Sequence, residues 1–492
     1  MEHIAVDIGA SGGRLFSGKV ISNGSGPYRP VKKIEISDVY RFDNRIIERD
    51  GQSLWDIDLL FHHIVRGLHE AFDRGCKRCT VGIDTWGVDY VLIDQSCNRV
   101  SDVFSYRDSR TRAAMDAFLN IIPREVIYSK TGIQFLRFNT IYQLYSHDQE
   151  VLKKTWKIML IPDYLYFLFT GKCHNEVTNA STTQLLNLDQ RDFDGDLLAT
   201  LGIERGMFAD LIKPGRYIGP VKPGLMQKYS LPECEFITVA THDTGSAVLG
   251  TPLSGDNSVY LSCGTWSLMG VENNSPVNSN DALRHNFTNE WGASGTYRFL
   301  KNLTGLWLVQ GMKRALPNGI GYAALMKMAG NSRGFSFIIN PNDESFMNPP
   351  DMIETIKKYC KETGQGAPDS EAELIRCILD SLSLSYRHTI EEIEHLTGRN
   401  ISVINLTGGG VNNTLLCRLT SNVTGKRLLA GPVEATILGN LIMQMIASGE
   451  IADISEARAM IKESFDPVEY LPQKMADADD AFKRYKENIL RR

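Results

Sequence analysis

The chain has 492 residues, of which 42% are apolar and 23% are charged, and its formal net charge is −5. This length exceeds what one compact core accommodates, so we expect two domains of roughly 200–250 residues each. The charges are spread along the chain without a basic block, which disfavours nucleic acid and anionic membranes as partners. The N-terminal residues lack a basic segment followed by a long apolar one, so the expected location is the cytoplasm.

The first half of the chain begins with a strand–turn–strand pattern. Residues 4–8 are an apolar run typical of a buried strand, residues 9–13 form a turn of small residues, and a second strand follows near 14–20. The next segments are predicted as a helix over 54–72 capped by Ser53 or Asp56, strands over 80–84 and 88–93, and mainly helices across 108–170.

The second half repeats this beginning. A strand over 236–240 leads into a helix that starts at Asp243, and a second strand–turn–strand pattern covers residues 258–271. The remaining predicted elements are a helix over 370–398, a strand over 401–406, helices over 413–423 and 434–447 with Gly439 as a close-packing point, and a charged helical tail from 453. The alternation predicts an α/β fold, and the repeated hairpin indicates two related domains hinged near residue 245.

The nine cysteines are an odd number scattered along the chain, which is typical of reduced thiols. Cys76 and Cys79 form a single CxxC without a second pair, so a zinc or redox site is disfavoured. Whether Cys360 and Cys377 pair in an oxidant is left open by the sequence.

The sequence contains neither a Walker P-loop nor a GxGxxG loop after a strand, so a bound phosphate needs another cradle. A small-residue turn between two strands exposes consecutive backbone N–H groups that bind phosphate oxygens. At the first hairpin, Asp7 is placed to hold Mg²⁺ and Arg14 to contact a phosphate. The turns at 263–265 and 408–410 are further candidates of this type.

Asp243 is the strongest catalytic candidate, because it follows a buried strand and begins a helix whose N-terminus favours an ionised carboxylate. Phosphoryl transfer needs such a carboxylate to accept a hydroxyl proton. The alternative role for Asp243 is that of an ordinary helix N-cap. His242 suits a sugar hydrogen bond better than a metal, since no second histidine has ligand spacing. The run over 82–90 places two carboxylates and an indole around Gly87, which suits a sugar site, a structural corner or a glycosidase pair.

In their order along the chain, these segments resemble the FGGY family of carbohydrate kinases from residue 6 to about 449. The strings that carry the resemblance are AVDIGASGGR (5–14), GIDTWGVDY (82–90), YRDSRT (106–111), HDT (242–244), LSCGTWSLMG (261–270) and AGPVEA (430–435). One departure is Gly12, where related sequences often carry serine. The resemblance implies two ribonuclease H-like, actin-like ATPase domains with a nucleotide and sugar cleft between them, over 1–244 and 245–455, followed by a helical tail over 456–492.

The resemblance also implies the ligands and their residues. ATP and Mg²⁺ are implied as co-substrate and cofactor, with L-rhamnulose phosphorylated at O1 and Asp243 as the proton acceptor. The residues implied to bind the nucleotide are Ala10, Ser11, Gly12, Gly13, Arg14, Thr265, Gln310 and Gly409. Those implied to touch the sugar are Gly87, His242, Asp243, Thr244 and Asn302.

Three alternatives to this function remain open. The first is a kinase for another ketose, such as L-fuculose or D-xylulose. The second is a non-catalytic actin-like module that binds ATP, and the third is a glycosidase. The expected partners are the ketose and ATP alone, in a monomer or a homodimer.

Overall fold

The computed structural model describes residues 1–23, 31–253, 255–316, 321–347 and 349–490. These residues divide into two compact units. Unit 1 comprises Met1–Pro252, Glu272–Phe299 and Ala435–Ser464. Unit 2 comprises Leu253–Val271, Leu300–Glu434 and Phe465–Arg492. The chain therefore enters unit 2 three times and returns to unit 1 after the first two.

The described strands are β1 (Glu2–Gly9), β2 (Gly12–Asn23), β3 (Val31–Asp43), β4 (Ile46–Arg49), β5 (Gln52–Trp55), β6 (Arg78–Thr85), β7 (Tyr90–Ile93), β8 (Lys157–Leu160), β9 (Asn175–Glu176), β10 (Leu211–Ile212), β11 (Tyr217–Pro220), β12 (Glu233–Ile237), β13 (Ser258–Cys263), β14 (Trp266–Asn273), β15 (Thr288–Trp291), β16 (Tyr297–Thr304), β17 (Val403–Thr407), β18 (Arg427–Ala430) and β19 (Val468–Tyr470).

The described α-helices are α1 (Ile57–Asp73), α2 (Ala114–Leu119), α3 (Arg124–Thr131), α4 (Thr140–Tyr145), α5 (Gln149–Lys154), α6 (Ile161–Thr170), α7 (Val177–Ala180), α8 (Gly195–Thr200), α9 (Pro223–Tyr229), α10 (Asp243–Leu249), α11 (Asn280–Arg284), α12 (Trp307–Ala315), α13 (Tyr322–Asn331), α14 (Met352–Glu362), α15 (Glu371–Thr397), α16 (Thr414–Thr424), α17 (Ala435–Ala447), α18 (Ile454–Ser464) and α19 (Ala478–Arg484).

Unit 1 is built on a six-stranded sheet with the order β11-β12-β6-β1-β2-β3. The hairpin β1–β2 and the pair β2–β3 are antiparallel, whereas β6 and β12 run parallel to β1. The interior of β1 is buried on both faces, which explains its nearly continuous apolar sequence. Helix α17 packs on β1 and β6, and α10 packs against α17.

Unit 2 carries the order β14-β13-β17-β18-β19 within its sheet. Here too an antiparallel hairpin, β13–β14, is followed by two parallel strands and an antiparallel edge strand. Helix α15 begins with a capping box formed by Ser370 and Glu373, and it packs against α13 and α16. Both units thus share one strand pattern, which confirms the predicted α/β class and the repeated hairpin.

Three elements differ from the sequence-based prediction. Strand β7 begins at Tyr90 rather than at residue 88, because Val88 has a φ of 70° and a strand requires a negative φ. Strand β12 covers Glu233–Ile237 rather than 236–240, and just beyond its end the Thr238 hydroxyl donates to the Lys213 and Arg216 carbonyls. The tail is not purely helical, because β19 pairs with β18 as an edge strand.

No helix in the described ranges combines the length and the apolar character needed to cross a bilayer.

Candidate active site

Three carboxylates of unit 1 lie near one another. They are Asp7 on β1, Asp84 at the end of β6 and Asp243 at the start of α10. Asp7 and Asp84 are register partners in this parallel pair, so their side chains share one face of the sheet. Asp84 is fully buried, and Asn440 Nδ2 on α17 donates to its Oδ2 at 2.5 Å. Burial, and then the negative charges of Asp7 and Asp243, hold the pKa of Asp84 well above its ordinary value. The sheet therefore gathers negative charge at this edge.

Asp243 occupies the first position of α10 and keeps its carboxyl partly exposed, at 30% of the side-chain surface. Its Oδ1 accepts hydrogen bonds from the Thr244 backbone N–H at 2.6 Å and from the Thr244 hydroxyl at 3.1 Å. The sequence favoured an ionised group at this helix N-terminus. Burial has the opposite effect and raises the pKa of Asp243, with the charge of Asp7 adding to the rise. A carboxylate with a raised pKa is a stronger proton acceptor.

Buried hydrogen bonds hold the segment before α10 in place. The Thr85 N–H at the end of β6 donates to the Thr241 carbonyl at 2.9 Å. Glu176, which is fully buried, accepts from both the backbone N–H and the hydroxyl of Thr241 through Oε2, at 3.0 and 2.8 Å. Thr241, which makes these contacts, lies two residues before Asp243. The contacts therefore hold the backbone from which the Asp243 carboxyl projects.

His242 lies between Asp243 and a buried ion pair. Its Nε2 is 3.5 Å from Asp243 Oδ1, and its Nδ1 is 3.1 Å from Glu290 Oε2. Arg298 Nη2 lies 3.0 Å from the same Glu290 oxygen. These contacts connect β15 and β16 to the beginning of α10.

The turn between β1 and β2 presents the residues predicted to bind phosphate. Ala10 and Ser11 form the turn, and Ser11 is exposed. Gly13 leaves space for the Phe42 ring, because a Cβ on it would lie 2.1 Å from that ring and the ring would have to move. Arg14 lies in an ion pair with Asp7, with Nη2 at 2.7 Å from Oδ2, so in this structure its guanidinium contacts a carboxylate.

Within the run over 82–90, Asp84 lies beside Asp7, whereas Asp89 and Trp86 make structural contacts. Asp89 is 1% exposed, and its Oδ2 accepts from the Trp55 and Trp86 indole N–H groups at 2.7 and 2.9 Å. The contacts of Asp89 are thus with protein groups, and Trp86 is buried and donates to it, which favours the structural alternative for Trp86. Gly87 is partly exposed, and a Cβ there would lie 2.8 Å from the Thr182 hydroxyl.

The remaining predicted residues lie in unit 2. Thr265 forms the β13–β14 turn, and its carbonyl accepts from the Gly305 and Trp307 N–H groups at 3.1 and 3.2 Å. This contact joins the turn to the start of α12, which carries Gln310 on an exposed position. The glycine turn after β17 packs on the same hairpin, since a Cβ on residue 410 would meet the Cys263 side chain at 2.5 Å. Gly409 is exposed there, and Asn302 lies on β16.

Several residues that position the carboxylates were missed from the sequence. They are Glu176, Glu290, Arg298 and Asn440. Each is far along the chain from the residue it contacts, and no local pattern marks it. A buried charged or amide residue is visible as a site candidate only after the strands that carry it are aligned.

The strand pattern shared by both units, with its carboxylates at the ends of β1 and β6 and its small-residue turns, defines an actin-like, ribonuclease H-like α/β protein. The model for the N-terminal domain of the FGGY family of carbohydrate kinases matches residues 4–250, and the model for its C-terminal domain matches 259–448. The chain belongs to the FGGY family of carbohydrate kinases.

Individual relatives support the same assignment. The chain is 43% identical over 491 residues to a protein named rhamnulokinase from Bacillus subtilis (strain 168), covering 100% of this chain and 99% of that one. It is 44% identical over 465 residues to a rhamnulokinase from Enterococcus faecalis (strain ATCC 700802 / V583), covering 94% and 92%. A ligand-bound xylulose kinase from Lactobacillus acidophilus matches the fold with a TM-score of 0.80 at 17% identity, covering 99% and 97%.

Proposed function

We propose that this carbohydrate kinase transfers the γ-phosphoryl group of ATP to O1 of L-rhamnulose in the degradation of L-rhamnose. The observation that carries the proposal is the 43% identity over the whole chain to proteins named rhamnulokinase. The partly exposed carboxyl at the start of α10 supplies the group that this chemistry needs. The proposal includes a cytoplasmic location, which suits the nine cysteines, all of them described and unpaired.

The proposed mechanism assigns the proton transfer to Asp243. The O1 hydroxyl oxygen attacks the γ-phosphorus in line, the bond from that phosphorus to the bridging oxygen breaks, and ADP leaves. Asp243 Oδ accepts the hydroxyl proton as the new O–P bond forms. Thr244 orients the carboxyl through two hydrogen bonds, and the buried Thr241–Glu176 contacts hold the helix start.

The carboxylates at the ends of β1 and β6 fit a magnesium ion. Asp84 Oδ1 is buried and has no hydrogen-bond partner among the described residues, beside the negative charges of Asp7 and Asp243. The described part of the chain contains no group of three or more metal-ligating side chains, and Mg²⁺ with nucleotides typically uses one or two carboxylates together with phosphates and water. Asp7 and Asp84 would hold the ion. When bound, Mg²⁺ neutralises charge on the transferring phosphoryl group.

The proposed nucleotide residues are those of the β1–β2 turn, from Ala10 to Arg14, together with Thr265, Gln310 and Gly409. The proposed sugar residues are Gly87, the segment 242–244 and Asn302. Backbone N–H groups of a small-residue turn bind phosphate oxygens without a lysine, which suits the exposed turn after β1.

The substrate assignment is tested with a panel of ketoses and a coupled assay for ADP. We expect L-rhamnulose to give the highest kcat/KM, by at least about tenfold over L-fuculose and D-xylulose, a margin of about 1.4 kcal/mol. Higher efficiency with another ketose would assign the enzyme to that sugar. Nucleotide binding without sugar-dependent ADP release would indicate a non-catalytic module, and no binding of ATP would favour a glycosidase.

Gly12→Val tests the phosphate turn. A Cβ at residue 12 would lie 3.1 Å from the Phe42 carbonyl oxygen, so the branched side chain of valine should displace the β1–β2 turn and the backbone N–H groups proposed to bind phosphate. We expect the KM for ATP to rise about tenfold or more, which corresponds to about 1.4 kcal/mol. The KM for the ketose should stay near its wild-type value, which serves as the internal control. An unchanged KM for ATP in a folded variant would count against the turn.

A further inference from the structure

The contacts of His242 bear on which of its two ring nitrogens accepts a hydrogen bond. Arg298 Nη2 lies 3.2 Å from His242 Nδ1 with hydrogen-bond geometry, and the Arg298 side chain is only 1% exposed. Glu290 Oε2 approaches the same ring nitrogen to 3.1 Å, but as an ion-pair contact without hydrogen-bond geometry. One guanidinium nitrogen therefore faces both the imidazole and the carboxylate.

A guanidinium group donates hydrogen bonds and accepts none. If Arg298 Nη2 donates to His242 Nδ1, that nitrogen must carry a lone pair rather than a proton. A neutral imidazole has one proton, so it then lies on Nε2. The doubly protonated ring would place two donors against each other at 3.2 Å, which is repulsive.

The Nε2 proton of His242 faces Asp243, because Nε2 is 3.5 Å from Asp243 Oδ1. Long contacts of this kind in a structure without substrate commonly shorten when the reacting complex forms. We propose that Arg298, neutralised by Glu290, is a positioning residue that fixes His242 in the Nε2–H tautomer and so directs a donor at the Asp243 carboxyl. The role in catalysis rests on the proposed function, in which Asp243 is the base.

The contribution of the buried Arg298–Glu290 ion pair to stability does not by itself account for its presence. Burying an arginine–carboxylate pair contributes little to stability compared with apolar residues of the same volume. Arg298 Nη1 is also buried without a hydrogen-bond partner in the described ranges, which costs further free energy. The guanidinium lies beside the first turn of α10, since a Cβ on Gly245 would lie 3.5 Å from Arg298 Cζ. The contacts of Arg298 with His242 and with the first turn of α10 are therefore the role that we assign to it.

The tautomer is measured directly by long-range ¹H–¹⁵N correlation spectra of the full-length protein labelled with ¹⁵N-histidine. The His242 signals are assigned by their loss in His242→Gln. We expect the pattern of a neutral ring protonated on Nε2, with Nδ1 shifted far downfield. A wild-type ring protonated on Nδ1, or on both nitrogens, would overturn the proposal. This readout needs no turnover, so it is independent of whether the ketose assignment is correct.

Two variants test which neighbour sets the tautomer. In Arg298→Met the donor is removed, so Nδ1 should take the proton and donate to Glu290, and the spectrum should change to the Nδ1–H pattern. In Glu290→Gln the guanidinium remains, so the Nε2–H pattern should persist. Retention of the Nε2–H pattern in Arg298→Met, or its loss in Glu290→Gln, would contradict the assignment.

Kinetics separate positioning from a general structural role. We expect Arg298→Met to lower kcat about tenfold or more while the KM for ATP stays unchanged, and Arg298→Lys, which retains a donor, to recover part of kcat. The matched control is Arg376→Met in unit 2, where a buried guanidinium likewise pairs with a carboxylate, Asp380, at 2.8 Å. If the control lowers kcat as much as Arg298→Met, the effect is one of stability and the positioning role is wrong.

Discussion

Asp243→Asn is expected to fold and to bind ATP and the ketose, yet to lose about 10²–10⁴-fold in kcat, which is the usual contribution of a general base. An amide keeps the volume and accepts the hydrogen bonds from Thr244, but it cannot take the proton of the attacking hydroxyl. The loss is measured as sugar-dependent ADP release, and binding of each ligand is measured separately by calorimetry. Near-normal turnover by the variant would remove Asp243 from the mechanism.

The matched control for this variant is Asp281→Asn. Asp281 also lies in the first turn of a helix of unit 1, α11, where it pairs with Arg284 on the surface. We expect kcat to stay within about twofold of wild type, since surface substitutions of this kind change stability by no more than about 0.5 kcal/mol. A comparable loss in both variants would show that removing a first-turn aspartate is harmful for structural reasons.

The activity of the wild-type enzyme should also report the ionisation of Asp243. Only the deprotonated carboxylate accepts a proton, so kcat/KM should fall as the pH drops through the pKa of this group. Because burial raises that pKa, the acid limb should lie at a higher pH than that of an ordinary exposed aspartate. An acid limb at or below the ordinary range would show that the surroundings of Asp243 do not raise its pKa, or that another group limits the reaction.

Gly439→Ala is expected to be the most damaging apolar substitution near the site. A Cβ on Gly439 would lie 1.8 Å from the Ser246 carbonyl oxygen, and one on Gly250 would lie 1.9 Å from the Ala435 oxygen. Both of these oxygens belong to the backbone, which cannot move aside as a side chain can. Helices α10 and α17 must therefore move apart to accommodate a methyl group. We expect a loss of about 3 kcal/mol or more in the free energy of unfolding, at the upper end of what overpacking costs. Urea unfolding measures it.

The same substitution should lower kcat, because α10 begins at Asp243 and displacement of that helix moves the carboxyl. A misplacement of about 1 Å typically costs about a hundredfold in rate. Gly224→Ala is the control, since Gly224 is an exposed helical residue of unit 1 and a Cβ on it would have no atom within 4 Å. It should stabilise the protein by about 0.5–1 kcal/mol. Stability in Gly439→Ala equal to that of Gly224→Ala would mean that α10 and α17 are not in close contact.

The local features of this chain could be predicted well from its sequence. The hairpin β1–β2 and the hairpin β13–β14 were predicted because each depends on a short apolar run, a small-residue turn and a second run. The helix that starts at Asp243 and the close packing at Gly439 are likewise marked by a few adjacent residues. Such features need only neighbouring residues, so no tertiary information is required.

The candidate site was harder to predict, because its residues contact partners that are far away in the sequence. Asp84 and Asp89 lie in one run of the sequence, and from that run both were candidates for contacts with a sugar. The structure separates them, because the register of β6 against β1 places Asp84 beside Asp7, whereas Asp89 accepts from two indoles. Asp84 lies on β6, where the register against β1 decides its neighbours, whereas Asp89 lies between β6 and β7, where tertiary packing decides them.

The α/β class, the repeated hairpin, the small-residue turns and the aspartate at a helix start could be predicted without coordinates, because each is encoded within a few consecutive residues. The polar residues that surround that aspartate became visible only in the folded chain. Glu176, Arg298 and Asn440 come from separate segments of the chain, and their side chains come together only in the folded unit 1. Buried charge is stabilised by partners that packing and strand register bring together, and no local sequence pattern identifies those partners.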